Sequence, residues 1–160
     1  MKEIKIESTL QVFESLDELP PEVYSLMQNA IKARKGAYSP YSKFSVGAAI
    51  LLDNNKIITG NNQENASFPS GLCAERTAIY YAGSQFPDSK IRIIAICAGS
   101  LKVPTTTPIP PCGACRQAIA EYEIKQKSPV EIYFKGELGH IAKSNSLENL
   151  LPFMFDKSVL

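Results

Sequence analysis

Apolar residues recur along this chain in two periods, one typical of helices and the other typical of strands. Residues 21–33 and the residues that follow Cys73 place apolar side chains at helical spacing, which predicts two amphipathic helices. The run 91–98 is almost wholly apolar, as expected of a strand that is buried on both faces. Because helices and strands follow one another in this way, the chain predicts a sheet with helices on both faces.

Five segments carry the strand pattern, so the predicted fold class is α/β, a three-layer α/β/α arrangement around a mixed five-stranded sheet. The first two predicted strands flank Asp53-Asn54-Asn55, whose turn chemistry indicates an antiparallel hairpin. A further helix is expected from Cys112 onward, and a short last helix is expected over residues 146–151. The five predicted strands cover residues 44–52, 56–60, 91–98, 130–134 and 140–143.

The first 20 residues form an N-terminal extension, and residues 21–160 are predicted to form a single domain. Within the extension, the alternation of Ile4, Ile6, Leu10 and Val12 with polar neighbours predicts an extended segment that covers a sheet edge or a neighbouring subunit. In the first long strand, the small residues 47–49 leave room for a close neighbour, either a helix or a ligand.

Charge and cysteine content exclude several classes of function. With 17 Lys and Arg against 16 Asp and Glu in 160 residues, the chain has no basic field that would bind nucleic acid non-specifically. No apolar run approaches about 18 residues, so no membrane span is predicted. Four closely spaced cysteines and the lack of an apolar N-terminal leader favour a metal-binding protein in a reducing compartment, and the predicted location is cytoplasmic.

Three of the cysteines form the pattern C-x-E followed by P-C-x-x-C. Cys73, Cys112 and Cys115 are expected at helix starts, where unpaired N–H groups favour thiolates. Three thiolates fill three corners of a tetrahedral Zn²⁺ site and leave the fourth for water, which is typical of a catalytic zinc. Glu75 lies two residues from the first ligand, close enough to exchange protons with that water.

A zinc ion with three thiolates carries a formal charge of minus one, which makes its bound water harder to ionise. A nearby cation must offset this charge. Arg76, directly after Glu75, suits the role because a guanidinium can donate hydrogen bonds to the ligand sulfurs. Arg116 is the competing candidate, and Arg76 is favoured.

The chain resembles the small zinc cytidine deaminases that form homotetramers. The matching blocks are residues 38–49, 62–67, 73–79, 111–117 and 150–155, and the similarity extends over roughly residues 21–155. The resemblance implies hydrolytic deamination of cytidine and deoxycytidine in pyrimidine salvage, with Glu75 as the proton shuttle. It also implies that Asn62 and Glu64 bind the ribose hydroxyls and that Phe44 stacks near the base.

The same resemblance implies that the backbone around Ala66 and Ala74 contacts the nucleoside and that Phe155 enters the site of a neighbouring subunit. Two features depart from the family pattern. Phe68 stands where relatives often have tyrosine, so any hydrogen bond from that hydroxyl is lost, and many relatives lack the first 20 residues.

Three alternatives stay open at this point. One is deamination of a cytosine-nucleoside analogue such as blasticidin S, or of a polynucleotide. Another is a non-catalytic module in which zinc only stabilises the fold. The third treats Cys112 and Cys115 as a redox pair in a C-x-x-C motif.

Overall fold

The computed structural model describes residues 1–157 and residue 160, and it has the predicted three-layer α/β/α architecture. The helices are α1 (Pro21–Arg34), α2 (Ala74–Gln85) and α3 (Gly113–Gln126). The strands are β1 (Gln11–Phe13), β2 (Phe44–Leu52), β3 (Ile57–Asn61), β4 (Ile91–Ser100), β5 (Glu131–Lys135) and β6 (Ile141–Ser144). They form one mixed sheet in the order β1-β6-β5-β4-β2-β3, in which only β4 and β5 are parallel.

Two apolar clusters lie on opposite faces of this sheet. Along β2, Ile50 and Leu52 pack with α2 and α3 on one face, while Leu51 packs with α1 on the other. The apolar run in β4 is buried as predicted, because β4 lies between β2 and β5 and both of its faces are covered. Each fully buried Ile or Leu contributes roughly 1.5–3 kcal/mol relative to an exposed one. Within the described residues, no helix has the length and apolar character needed to cross a bilayer.

Two glycines allow helices to approach the β2–β3 hairpin closely. A Cβ atom at Gly47 would lie 2.1 Å from the carbonyl oxygen of Ala30 in α1. A Cβ atom at Gly60 would lie 2.6 Å from the carbonyl oxygen of Ala74 in α2. The close neighbour predicted for residues 47–49 is therefore a helix. The contact at Gly60 also fixes the start of α2, where Cys73 lies.

The sheet has six strands rather than the expected five, because the N-terminal extension contributes β1. This short strand pairs antiparallel with β6, with Val12 opposite Ala142. Just before β1, the side chain of Asn149 forms hydrogen bonds with the backbone of Thr9, as a neighbouring strand would. Its Oδ1 accepts a hydrogen bond from Thr9 N at 2.8 Å, and its Nδ2 donates to Thr9 O at 2.6 Å. Residues 11–13 of the extension thus cover a sheet edge of its own chain, but the alternating side chains of Ile4, Ile6, Leu10 and Val12 are exposed in the single chain.

The short helix predicted over residues 146–151 is wrong, since the structure has only turns there. Leu150 N and Leu151 N both donate to Leu147 O, which closes a single turn. The following Pro152 disfavours a helical conformation at Leu151. In addition, the Glu123 carboxylate on α3 accepts hydrogen bonds from Leu147 N and Glu148 N, so this segment is fixed to α3 by a side chain.

We expect Asn149→Ala to lower the free energy of unfolding by about 1–2 kcal/mol. The substitution removes two hydrogen bonds to Thr9 and a 2.9 Å bond to Ser144 Oγ. Each contributes about 0.5 kcal/mol net, because the partners can bond to water in the variant. Urea unfolding measures the difference. The matched control is Asn145→Ala at an exposed neighbouring position, and equal unfolding midpoints for the two variants would contradict the prediction.

Candidate active site

The three candidate ligands lie at the N-termini of two helices that meet at one end of the sheet. Cys73 is the N-cap of α2 and Cys112 is the N-cap of α3, and both have extended backbone conformations. Neither side chain caps its helix by a hydrogen bond, so the sulfurs are available to a metal. Cys115 lies in the first turn of α3 and is fully buried. The helix starts direct backbone N–H groups toward the cluster and favour negative charge there.

The spacing of the sulfurs fits a zinc ion. Zinc–sulfur bonds of about 2.3 Å in a tetrahedron place sulfurs about 3.8 Å apart. The Sγ atoms of Cys73 and Cys112 are 3.9 Å apart, and all three sulfurs of the cluster lie within 4.8 Å of one another. Among the described residues, this is the group of cysteine, histidine and acidic side chains close enough to hold a metal ion. The group contains three ligands from the described part of the chain, so the fourth position of a tetrahedral zinc site is left for water.

The electrostatics of the cluster also call for a cation. The Cys115 thiol donates to Cys73 and, together with Arg76, lowers the pKa of Cys73 to about 5 despite partial burial. The same contact and burial raise the pKa of Cys115 well above its usual range. The first thiolate is therefore formed readily, whereas a second one beside it is opposed by repulsion. A divalent metal removes this opposition and holds all three sulfurs as thiolates.

Glu75 is buried beside the sulfurs. Its side chain belongs to the first turn of α2, and the residue is only 5% exposed. Burial raises the pKa of the Glu75 carboxyl, and the charge on Cys73 raises it further, while its own backbone N–H, the Cys115 thiol and Arg76 lower it. A buried carboxyl whose pKa is raised, and which interacts with Cys115 and Cys73, is suited to accept and return protons.

The two arginines that competed for the charge-balancing role make different contacts. Arg76 Nη2 donates to Cys73 Sγ at 3.6 Å. The Arg76 Nε atom is buried and has no hydrogen-bond partner among the described residues. Arg116 instead donates to two backbone carbonyls, Pro111 O and Leu150 O, each at 2.8 Å. The geometry therefore favours Arg76 as the cation that offsets the thiolate charge.

An open cleft of about 550 Å³ borders the cluster at Cys73 and Arg76. Its volume is in the range of small-molecule sites. The polar loop between β3 and α2 forms one wall, and the turn before β2 forms the other. The described lining residues are Tyr41, Ser42, Asn62, Gln63, Glu64, Asn65, Phe68, Gly71, Leu72, Cys73 and Arg76.

Asn62 and Glu64, the two residues expected to bind sugar hydroxyls, both line this cleft. Asn62 is fixed to β2, because its Nδ2 donates to Phe44 O at 2.9 Å and its Oδ1 accepts from Val46 N at 2.8 Å. Glu64 Oε2 accepts hydrogen bonds from the backbone N–H groups of Tyr41 and Ser42. The Ser42 side chain and these N–H groups lower the pKa of Glu64, which keeps the carboxylate ionised.

The other expected substrate contacts do not line the cleft in this single chain. Phe44 is half-buried at the start of β2, and Ala74 is fully buried at the start of α2. Ala66 is exposed on the polar loop. Phe155 is 61% exposed, and its carbonyl oxygen accepts a hydrogen bond from Gln117 Nε2 at 2.8 Å. The contact of Phe155 with a neighbouring subunit stays an expectation from the resemblance, and the exposed ring is compatible with it.

Sequence reasoning missed two features of the site. The first is the ring pair of Tyr41 and Phe68, which both line the cleft and whose centroids lie 5.8 Å apart in an edge-to-face arrangement. The second is the pair of carbonyl contacts made by Arg116. The ring pair and the Arg116–Leu150 contact have no signal in the sequence because their partners are far apart along the chain, whereas Pro111 lies five residues before Arg116. The turn residues Pro40 and Gly71 indicate only that loops lie there.

Comparisons with known proteins agree with this geometry. Residues 21–129 match the family model described as the cytidine and deoxycytidylate deaminase zinc-binding region. A cytidine deaminase of Sporosarcina psychrophila is 39% identical over 139 residues, which cover 87% of this chain and 95% of that protein. A cytidine deaminase of Halalkalibacterium halodurans is 47% identical over 96 residues, or 60% of this chain and 68% of the relative.

A solved structure supports the same relation. The crystal structure of cytidine deaminase from Burkholderia pseudomallei superposes with a TM-score of 0.70 at 36% sequence identity. The match covers 82% of this chain and 98% of that one. This chain therefore combines the three-layer fold of the solved structure, the match to the zinc-binding region and a cluster of three cysteines.

Proposed function

The chain belongs to the family of the cytidine and deoxycytidylate deaminase zinc-binding region, and from this premise we propose that it hydrolyses cytidine and deoxycytidine to uridine and deoxyuridine with release of ammonia. The observation that carries the proposal is the placement of Glu75. The buried Glu75 carboxyl interacts with Cys115 and Cys73, and Cys73 borders a cleft that Asn62 and Glu64 also line. A zinc site that served only to stabilise the fold would not need this acid.

Cys73, Cys112 and Cys115 would hold the zinc, which as a Lewis acid would make a water molecule nucleophilic near neutral pH. Glu75 handles the protons. Its carboxylate takes a proton from the attacking water and delivers it to ring N3, so that C4 accepts the water oxygen. Glu75 then carries the second water proton to the exocyclic amino group. The C4–N4 bond breaks, ammonia leaves and the carbonyl of uracil forms.

Arg76 supports this chemistry by balancing charge. Its guanidinium donates to Cys73 Sγ and lies within reach of Cys115, so it weakens the electron donation of the thiolates to the metal. Arg76 also offsets the rise in the pKa of Glu75. The carboxyl thus stays able to release its proton during the reaction.

Asn62 and Glu64 support a nucleoside rather than a free base as the substrate. The Asn62 side chain uses one amide hydrogen and one oxygen lone pair to bind the backbone of β2. One N–H donor and one acceptor site of the amide remain for a ligand. Both backbone contacts of Glu64 reach Oε2, so Oε1 can accept a hydroxyl hydrogen. A site that hydrogen-bonds sugar hydroxyls rejects a substrate without them.

The test is to incubate the purified zinc protein with cytidine and follow its conversion to uridine, with metal content measured on the same sample. Cytosine and blasticidin S serve as comparison substrates. We expect cytidine turnover with kcat/KM at least about 10²-fold above that for cytosine, because unpaired polar groups penalise the free base. Faster turnover of blasticidin S, or no turnover of cytidine by the zinc-loaded protein, would overturn the proposal.

Two further features belong to this proposal. Residues 21–160 form the deaminase domain, since the family match begins at residue 21. The assembly is a homotetramer with sites shared between subunits, supported by the exposure of Phe155 and Phe153 at the C-terminal segment. Light scattering of the purified protein measures its mass. A tetramer is expected, and a monomer at working concentration would contradict the shared site.

The cellular role that follows is pyrimidine salvage in the cytoplasm. A nucleoside product without phosphate re-enters nucleotide synthesis only where nucleoside-activating enzymes are present. Expression of the chain in a bacterial strain that requires uracil and lacks its own cytidine deaminase tests this role. Growth on cytidine as the pyrimidine source is expected for the parent chain, and no growth is expected for Glu75→Gln.

A further inference from the structure

We propose that Arg116 is a positioning residue that holds the Pro111–Cys112 peptide in place and thereby keeps the Cys112 sulfur in the metal cluster. The guanidinium of Arg116 connects this peptide to the C-terminal segment through Leu150 O. The inference goes beyond the proposed reaction, because it concerns retention of the metal and does not depend on which substrate is used.

The backbone before Cys112 offers few ways of being fixed. Pro110 and Pro111 have no N–H groups, so only their carbonyl oxygens can form backbone hydrogen bonds. Pro111 is nevertheless buried, and a buried carbonyl oxygen needs a donor. Arg116 Nε supplies that donor at 2.8 Å. Without it, the peptide would lose the side-chain contact that orients it.

The contact constrains the ligand because a peptide group is planar. The carbonyl of Pro111 and the N–H of Cys112 belong to one rigid plane, so fixing the oxygen also fixes the direction in which the chain enters Cys112. The guanidinium is itself fixed from the other side, since Arg116 Nη1 donates to Leu150 O at 2.8 Å. A planar group with donors at both ends spans the two carbonyls in one geometry.

The other two ligands are secured differently. Next to Cys73, Leu72 exchanges two backbone hydrogen bonds with Gln63, at 2.9 and 3.0 Å. Cys115 lies inside α3 and is fully buried. Cys112 is the exposed ligand of the three. The ligand that most needs a side-chain anchor is therefore the one that Arg116 serves.

Gln117 offers a matched control on the same helix. Its Nε2 donates to Phe155 O at 2.8 Å, so it also fastens the C-terminal segment to α3, but it does not donate to Pro111 in the structure. If Arg116 acted only by fastening that segment, loss of either side chain would have the same effect. If Arg116 acts on the ligand peptide, the two substitutions differ.

The experiment measures zinc release from the loaded protein to an excess of a colorimetric chelator. We compare the parent with Arg116→Gln, Arg116→Lys, Gln117→Ala and the surface control Arg92→Gln. Arg116→Gln is expected to release zinc at least about tenfold faster, as for other groups that orient metal ligands. Arg116→Lys, which keeps the charge and one donor, is expected to release zinc at an intermediate rate. The two controls, Gln117→Ala and Arg92→Gln, are expected to release zinc at a rate within about twofold of the parent.

A second readout separates positioning from general destabilisation. In cobalt-loaded protein, the sulfur-to-cobalt charge-transfer band is expected to change in Arg116→Gln and to stay unchanged in Gln117→Ala. Parent-like zinc release by Arg116→Gln, or equal release by Arg116→Gln and Gln117→Ala, would overturn the proposal. Should Arg116→Gln not fold, Arg116→Lys decides, since release no faster than that of Gln117→Ala refutes the positioning role. Each outcome is independent of whether cytidine is the substrate.

Discussion

Glu75→Gln is expected to lower kcat by about 10²- to 10⁴-fold, the usual contribution of a general acid–base residue, while zinc content and fold are kept. Glutamine has nearly the shape of glutamate and can occupy the same buried position, but it cannot take up and return a proton. The reaction needs two proton deliveries, one to N3 and one to the leaving amino group. Both are lost together.

The environment of Glu75 explains why the protein would remain folded. The pKa of its carboxyl is raised chiefly by burial, so the charged form is costly in this position. Replacing it with a neutral amide removes that cost. Stability equal to or above that of the parent is therefore compatible with loss of activity, which is typical of acids placed for catalysis rather than for folding.

The measurement is steady-state conversion of cytidine together with bound zinc and a thermal unfolding curve on the same preparation. The control is Glu121→Gln, the same chemical change at an exposed position of α3. Turnover within about twofold of the parent is expected for this control. Parent-like turnover of a zinc-loaded Glu75→Gln would refute the role of Glu75 and favour the non-catalytic zinc module.

Cys115→Ser is expected to abolish stoichiometric zinc binding and to lower activity by about 10³-fold or more. A metal that polarises the reacting groups contributes several kcal/mol to the transition state, and each 1.4 kcal/mol or so corresponds to tenfold in rate. Hydroxyl oxygen is a poor replacement for thiolate at a zinc site. The protein is also expected to unfold at a lower temperature, since metal binding stabilises the folded chain.

Cys97→Ser is the matched control for this substitution. Cys97 and Cys115 are equally buried, at 1% and 0% exposure, but Cys97 lies on β4 against the α1 face of the sheet. Its Sγ contacts Gly136 O at 3.7 Å, a contact that a serine hydroxyl can also make. One zinc per chain is expected in Cys97→Ser. Zinc bound at one per chain in Cys115→Ser would contradict the assignment of the ligands.

Much of the candidate site was predictable because its residues are close together along the chain. Cys73, Glu75 and Arg76 lie within one turn of α2, and Cys112 and Cys115 within one turn of α3. A helix start converts such spacing directly into geometry, since side chains in its first turn point to a common region. The contact of Arg76 with Cys73 Sγ follows from their separation of three residues.

The contacts that depend on distant segments were not predictable. Local patterns at residues 146–151 favoured a helix, but Glu123 on α3 binds two N–H groups of that segment, and only turns form. The sixth strand has the same origin. Its alternating residues predict an extended segment, while the choice of β6 as partner depends on the position of Asn149 in the folded chain.

By itself, the sequence determined the layers of the fold and the placing of three cysteines and Glu75 at two helix starts, because periodicity and close spacing act through local backbone geometry. The tertiary structure decided which helix starts meet, which face of the hairpin receives a helix, and which carbonyls Arg116 holds. Those outcomes depend on packing between segments that are far apart in the chain, where a hydrogen bond such as that from Arg116 to Leu150 leaves no periodic trace. The positions of the proposed metal ligands thus depend on the local sequence, whereas the contacts that support these residues depend on the tertiary structure.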